Sequence, residues 1–162
     1  MYKYWLALAA LSFISCERER KSCTDDTIFS QDNSELYDSL YAKHLGADDY
    51  GMKSYVMAFL KAGPNRDQDS TTRAQLQRAH LDNIMRLSNE GKLVLAGPFL
   101  DDEEIRGIYI FNVETIEDAE NLTNSDPAIK AGSLVMELHP WYGSAAIMEI
   151  NELHKQLAKI PI

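Results

Sequence analysis

Apolar and polar positions alternate along the chain with two periods, one typical of strands and one typical of helices. Apolar runs rich in β-branched and aromatic residues predict four strands, at residues 53–61, 93–99, 106–113 and 134–142. Apolar residues three and four positions apart predict a long helix from Thr71 or Thr72 to Glu90 and a shorter one after Thr115. The predicted order is strand, helix, strand, strand, helix, strand, with a further helix at each end.

This order of elements is that of the ferredoxin-like split βαβ fold, so the sequence predicts an α+β domain. Four antiparallel strands with both helices on one side would leave the other face of the sheet apolar and bare. Two such sheets packed face to face bury that surface, and we therefore expect a homodimer.

The first 16 residues have the shape of a secretory leader. Lys3 precedes an apolar run at residues 5–14, which is shorter than the roughly 20 residues that a membrane-spanning helix needs. The run ends in Ser15-Cys16, which resembles the bacterial lipoprotein box and implies cleavage before Cys16 and lipidation of that residue. A plain signal peptide or a buried N-terminal helix are the alternatives. The expected location is the bacterial cell envelope, with the membrane contacted only through the lipid anchor.

The pattern divides the chain into five segments. These are a leader at 1–16, a polar linker at 17–33, an N-terminal helix at 34–52, the ferredoxin-like domain at 53–146 and a C-terminal helix at 147–162. Ser34 is the expected cap of the N-terminal helix and Gly46 its expected end.

Charge and cysteine usage exclude several classes of function. The net charge of −9 and the absence of a basic cluster in the domain argue against a nucleic-acid partner. The two cysteines, Cys16 and Cys23, precede the domain, and the four histidines are scattered, so we expect no metal site. No glycine-rich phosphate loop or other cofactor motif is present, so we expect no cofactor.

His80 is the most informative residue of the long helix. It falls in the middle of the apolar stripe formed by Leu76, Ile84 and Leu87, which faces the core. An imidazole in this position can act as a general base or a proton shuttle in a pocket between helix and sheet. Alternatively, it is a core histidine whose nitrogens bond to a backbone carbonyl or a carboxylate.

Several short motifs resemble the YCII-related domain family in their order and spacing. They are Ala79-His80-Leu81, Glu90-Gly91-Lys92-Leu93, Ala96-Gly97-Pro98, Ser125-Asp126-Pro127, Ala131-Gly132 and Pro140-Trp141. The resemblance implies a dimeric α+β barrel and an active site centred on His80 and Asp126. It also implies small cyclic substrates, as for relatives of the same barrel class that act on chlorinated hydroquinones and lactones.

Other residues of the domain are candidates for binding a substrate. Arg66 follows the first strand and can hold a carboxylate or phenolate, or it is a solvated loop arginine. Gly97 and Pro98 end the second strand and either leave room for a ligand or simply terminate pairing. Trp141 either walls a pocket or packs at the dimer edge. Asp126 either orients His80 or only caps a helical turn.

Two hypotheses follow for function. In the first, the protein is a cofactor-free enzyme in which His80 and Asp126 transfer a proton during elimination, isomerisation or hydrolysis of a small cyclic or carbonyl-bearing substrate. In the second, it is a non-catalytic ligand-binding or dimerisation module on a lipid anchor. Hydrogen-bond contact between the two side chains in an open pocket favours the first, and a sealed or outward-facing side chain favours the second.

Overall fold

A computed structural model describes residues 36–160 of the chain. The predicted leader, the polar linker, Cys16 and Cys23 therefore lie outside the described residues. Asp38–Ile162 forms one compact unit. None of the helices between residues 36 and 160 has the length and apolar character that crossing a membrane requires.

Five α-helices, four strands and one 3-10 helix make up residues 36–160. They are α1 (Ser39–Leu45), β1 (Met52–Ala62), α2 (Ser70–Asn89), β2 (Leu93–Pro98), β3 (Ile105–Phe111), α3 (Ile116–Thr123), α4 (Pro127–Lys130), β4 (Leu134–Ser144), the 3-10 helix (Ala145–Glu149) and α5 (Ile150–Leu157). The strands form one antiparallel sheet in the order β2-β3-β1-β4. This is the predicted ferredoxin-like α+β topology.

Central strand β1 sets the register of the sheet. Val56 pairs with Phe111 of β3 on one side and with Pro140 of β4 on the other. β4 runs through Pro140 and continues to Ser144. An edge strand tolerates a proline because it needs N–H donors toward only one neighbour.

One face of the sheet, which we call the helix face, carries the main core. Val56 and Phe111 are fully buried there, and Leu87 of α2 and Ala119 of α3 pack against them. Leu134, Met136 and Leu138 of β4 extend this core toward the sheet edge.

The opposite face, which we call the open face, differs from the bare apolar surface that the sequence predicts. Tyr55, Val94 and Ile110 are buried there, because Ile147 and Met148 of the 3-10 helix pack over them. The rest of the face also carries charge, since the Lys61 Nζ lies 2.5 Å from a carboxylate oxygen of Glu137. A segment of the same chain therefore covers part of this face.

The terminal helices also depart from expectation. Helix α1 begins at Ser39, where the Asp38 carboxylate caps it, and it ends at Gly46 as predicted, with φ of 74°. Ser34, the predicted cap, lies outside the described residues. The C-terminal segment begins as a 3-10 turn, which has fewer residues per turn than an α-helix and rotates the face that follows it. Leu153 and Leu157 of α5 are 53% and 82% exposed.

Candidate active site

Helix α2 places His80 against the helix face of the sheet. The helix begins at Ser70, one residue before the predicted start, and the Asp69 carboxylate caps it by accepting from the backbone N–H groups of Thr71 and Thr72. The stripe predicted from the sequence does face inward, because Leu87 and His80 are 1% and 7% exposed.

The turn before α4 places Asp126 beside His80. Asp126 is the N-cap of α4, and its Oδ1 accepts a hydrogen bond of 2.8 Å from the Ala128 N–H. Pro127 follows at the first helical position, where its missing N–H costs nothing. The capping role of Asp126 is therefore present, and it leaves the second carboxylate oxygen free for another partner.

That partner is His80. The His80 Nδ1 lies 2.7 Å from the Asp126 Oδ2, and Asp126 has no exposed surface. The Asn83 side-chain amide reaches the same oxygen at 3.5 Å. Its own carbonyl oxygen accepts from Ser125 at 3.0 Å and from Arg86 at 2.8 Å. Side chains of α2 and the α4 turn thus form one hydrogen-bonded network.

Tyr109 of β3 completes the network and was missed by the sequence reasoning. Its hydroxyl lies 3.2 Å from the His80 Nε2, and the two rings are nearly parallel with centroids 6.2 Å apart. Burial raises the pKa of the Tyr109 phenol far above its ordinary value, and the negative charge of Asp126 raises it further. A phenol that keeps its proton can donate to the Nε2 of an imidazole that is protonated at Nδ1 and donates from there to Asp126.

In this tautomer, Nε2 of the imidazole can act as a base. A carboxylate that accepts from Nδ1–H orients the ring and stabilises the imidazolium that forms when Nε2 takes up a proton. Both ring nitrogens are occupied within the described structure, and His80 is almost completely buried. The pair is in hydrogen-bond contact but does not stand in an open pocket.

A cleft of about 150 Å³ lies beside this network. Its lining residues are Arg66, Gln68, Arg73, Leu76, Gln77, Ala128, Ser133 and Leu134. Leu76 and Gln77 stand one turn before His80 on α2, and Ala128 is the residue whose N–H binds Asp126. Among residues 36–160, neither Arg66 nor Arg73 has a carboxylate partner within ion-pair distance.

Backbone contacts hold the Arg66 loop against the turn between α4 and β4. The Gly63 N–H donates to the Ser133 carbonyl at 2.9 Å, and the Asn65 N–H donates to the Gly132 carbonyl at 3.0 Å. A Cβ at Gly63 would collide with the Gly132 carbonyl oxygen, so this approach requires glycine. The loop therefore presents Arg66 on the same side of the domain as Asp126.

The other predicted binding residues lie elsewhere. Gly97 and Pro98 end edge strand β2 and do not line the Arg66 cleft. Trp141 packs on Tyr55, with ring centroids 5.7 Å apart, on the open face. Since Tyr109 points to the helix face, Trp141 and His80 are separated by the sheet.

Among the side chains of residues 36–160, no group of three histidine, cysteine or acidic residues is arranged to hold a metal ion.

Comparison with known proteins places this site within a described domain. The family model for the YCII-related domain matches residues 55–142, which include His80, Tyr109 and Asp126. The uncharacterized protein YjpA of Bacillus subtilis (strain 168) is 29% identical over 62 residues, which are 38% of this chain and 71% of that protein.

One solved structure in the comparison is a 5-chloro-2-hydroxyhydroquinone dehydrochlorinase from Burkholderia phenoliruptrix AC1100 in complex with 2,5-dihydroxybenzoquinone. It is 22% identical to this chain, with a TM-score of 0.40, and the match covers 53% of this chain and 92% of that one.

Proposed function

The chain belongs to the YCII-related domain family, and from the hydrogen-bonded network inside that domain we propose that it is a small-molecule enzyme that works by proton transfer. The observation that carries the proposal is the 2.7 Å contact between the His80 Nδ1 and the fully buried Asp126 carboxylate. A buried carboxylate at this distance fixes the tautomer that leaves Nε2 as the base.

In the proposed reaction, Nε2 of His80 removes a proton from carbon or oxygen of the substrate. Asp126 stabilises the imidazolium that results, and the proton returns to the substrate or leaves with the product. The Tyr109 hydroxyl holds Nε2 in the structure, so it must turn aside when substrate binds. Elimination, isomerisation and hydrolysis of a small cyclic or carbonyl-bearing compound all use such a step.

The cleft beside the network supports binding of an anionic substrate group. Arg66 and Arg73 line it without a carboxylate partner in the described structure, and Gln77 and Ser133 add polar atoms. A guanidinium group binds carboxylates and phenolates through two parallel hydrogen bonds. We therefore propose that Arg66 and Arg73 hold the charged group of the substrate while its reacting end reaches His80.

Proton exchange with solvent tests the proposal without knowledge of the full reaction. The protein is incubated in D₂O with a panel of small cyclic carboxylates, hydroxyquinols and lactones, and deuterium incorporation is followed by NMR. We expect catalysed exchange for at least one compound, and a rate reduced by about 10²–10⁴-fold in His80→Ala. His139→Ala is the matched control, because His139 also bonds to a carboxylate, that of Glu137, but is half exposed on the open face.

A second candidate function is a non-catalytic ligand-binding module. The observation that favours it is burial, since His80 is 7% exposed and Asp126 not at all. In that case the network only stabilises the domain. Compounds would then bind to the Arg66 cleft without deuterium exchange, and His80→Ala would lower stability but leave binding intact.

We also propose that the protein is exported and anchored through lipid on Cys16. The support is the sequence of the leader, in which an apolar run ends at Ser15-Cys16. Metabolic labelling with a fatty acid should mark the wild-type chain and leave Cys16→Ser unmarked. Labelling that persists in Cys16→Ser would contradict the anchor.

A further inference from the structure

A second and larger cavity, of about 510 Å³, lies between α2, edge strand β2 and α5. Its lining residues are Ile84, Met85, Ser88, Asn89, Leu93, Leu95, Ala96, Ile150, Asn151, His154, Lys155 and Ala158. It shares no residue with the Arg66 cleft, and none of its residues belongs to the His80 network. Its volume falls in the range of sites that hold small organic ligands.

The walls of this cavity are mainly apolar. Ile84 and Met85 come from α2, Leu93 and Leu95 from β2, and Ile150 from α5. The Asn151 side-chain amide donates to the Leu93 carbonyl at 2.8 Å and so ties α5 to the edge strand. The wall formed by α5 is therefore attached to the sheet by a directed contact as well as by packing.

One end of the cavity is polar and basic. His154 and Lys155 line it, and no aspartate or glutamate is among its lining residues in the described chain. The Lys155 ammonium lies 2.6 Å from the Glu152 carboxylate, but both side chains are more than half exposed. An exposed ion pair of this kind contributes little, so a ligand anion can compete for the ammonium group.

We propose that this cavity binds a small amphipathic anion, with an apolar chain or ring between α2 and α5 and a carboxylate or sulfonate at His154 and Lys155. The contrast between apolar walls and a basic end selects such a ligand over a neutral or cationic one. Helix α5 lies beyond residue 142, where the match to the family model ends. This site is therefore separate from the proposed function and uses a segment that the chain adds to the family domain.

Fluorescence of 1-anilinonaphthalene-8-sulfonate tests the proposal on the full chain. We expect saturable binding that decanoate displaces more effectively than decanol. Ala96→Trp, and separately Ser88→Trp, should fill the cavity. Each should weaken binding of the dye by about tenfold or more, which is about 1.4 kcal/mol. Leu100→Trp is the matched control, because Leu100 is fully exposed and does not line the cavity.

A charge variant tests the basic end. His154→Gln combined with Lys155→Gln should weaken binding of decanoate about three- to tenfold and leave binding of decanol unchanged. Lys130→Gln, at an exposed site on α4, should change neither.

Three results would overturn the proposal. The first is dye binding that is unchanged in both tryptophan variants, and the second is equal displacement by decanoate and decanol. The third is a fall in molecular mass by light scattering in Ala96→Trp, which would show that a second copy of the chain, not a ligand, occupies the cavity.

Discussion

The two faces of the sheet are built from the same alternating strands, yet the chain encloses only one of them. On the helix face, Val56 and Phe111 have no exposed surface, and His80 and Asp126 are hydrogen-bonded to each other inside the core. On the open face, Met57, Phe59 and Ile108 remain half-buried beside the part that the 3-10 helix covers. Alternation alone therefore makes both faces apolar, but packing by the chain decides which face can hold a buried acid–base network.

The part of the open face that the 3-10 helix does not cover supports the proposal that the protein is a dimer. Phe59 pairs with Ile108 across β1 and β3, and Val135 of β4 is 41% exposed on the same face. Lys61 forms an ion pair with Glu137 beside these apolar groups, and Glu137 also shares a hydrogen bond with His139. We propose that a second copy of the chain packs on this face, with the apolar residues at the centre and these polar groups around them.

The largest expected effect is on the free energy of unfolding, which should fall more for a substitution on the helix face than for one on the open face. Leu87→Ala should lower the free energy of unfolding by about 2–5 kcal/mol, because it leaves a cavity in the helix-face core. Met57→Ala on the open face should cost about 1 kcal/mol when measured at a concentration where the protein is monomeric. Urea denaturation gives both values, and equal losses would show that the two faces are equally packed.

The next prediction concerns assembly. Light scattering on residues 34–162 should give the mass of a dimer, and Phe59→Glu should give a monomer because it places a charge in the proposed interface. Val135→Glu is a second test on β4 of the same face. Leu100→Glu, on an exposed loop, should stay dimeric. A wild-type chain that is monomeric throughout the micromolar range would contradict the proposal.

Asp126→Ala should lower the free energy of unfolding through lost hydrogen bonds rather than lost packing. It leaves the Ala128 N–H and the His80 Nδ1–H without their acceptor, at a cost of about 1–3 kcal/mol for each buried donor that stays unsatisfied. Urea denaturation measures the loss. Since Asp126→Asn keeps one oxygen in place, it should recover part of the stability, and no difference between the two variants would argue against a hydrogen-bonding role.

The smallest expected effect is the pH dependence of the ion pair on the open face. The Lys61 ammonium holds the pKa of Glu137 below its ordinary value, and the hydrogen bond to His139 lowers it further. Because the pKa is lower in the folded state, the contribution of Glu137 to stability is present at neutral pH and is lost as the pH falls through the folded pKa. The difference in melting temperature between wild type and Glu137→Gln should therefore be largest near pH 7 and shrink toward pH 3. A difference that stays constant over this range would exclude the ion pair as its cause.

Much of the fold could be predicted from the sequence because its signals are local. Helical spacing placed His80 on the buried side of α2, and strand alternation with glycine and proline breaks located the four strands. Asp126 was identified only through its resemblance to a family motif, since 46 residues separate it from His80 and spacing cannot show that they touch.

The remaining features depend on how distant elements meet. Tyr109 reaches His80 only because β3 lies between β1 and β2 in the sheet, and this register is a property of the whole domain. Arg73 joins Arg66 because the loop after β1 is held against the turn before β4. Helical periodicity does not predict the 3-10 turn before α5.

In the proposed mechanism, Asp126 holds His80 as an imidazole protonated at Nδ1, with Nε2 as the base. The most direct test is ¹⁵N NMR of the histidine side chains at neutral pH, with His80→Ala used to assign the His80 signals. His80 should show a protonated Nδ1 whose hydrogen exchanges slowly with water, and an unprotonated Nε2. A His80 ring protonated at Nε2, or one that exchanges rapidly between both tautomers, would contradict this mechanism.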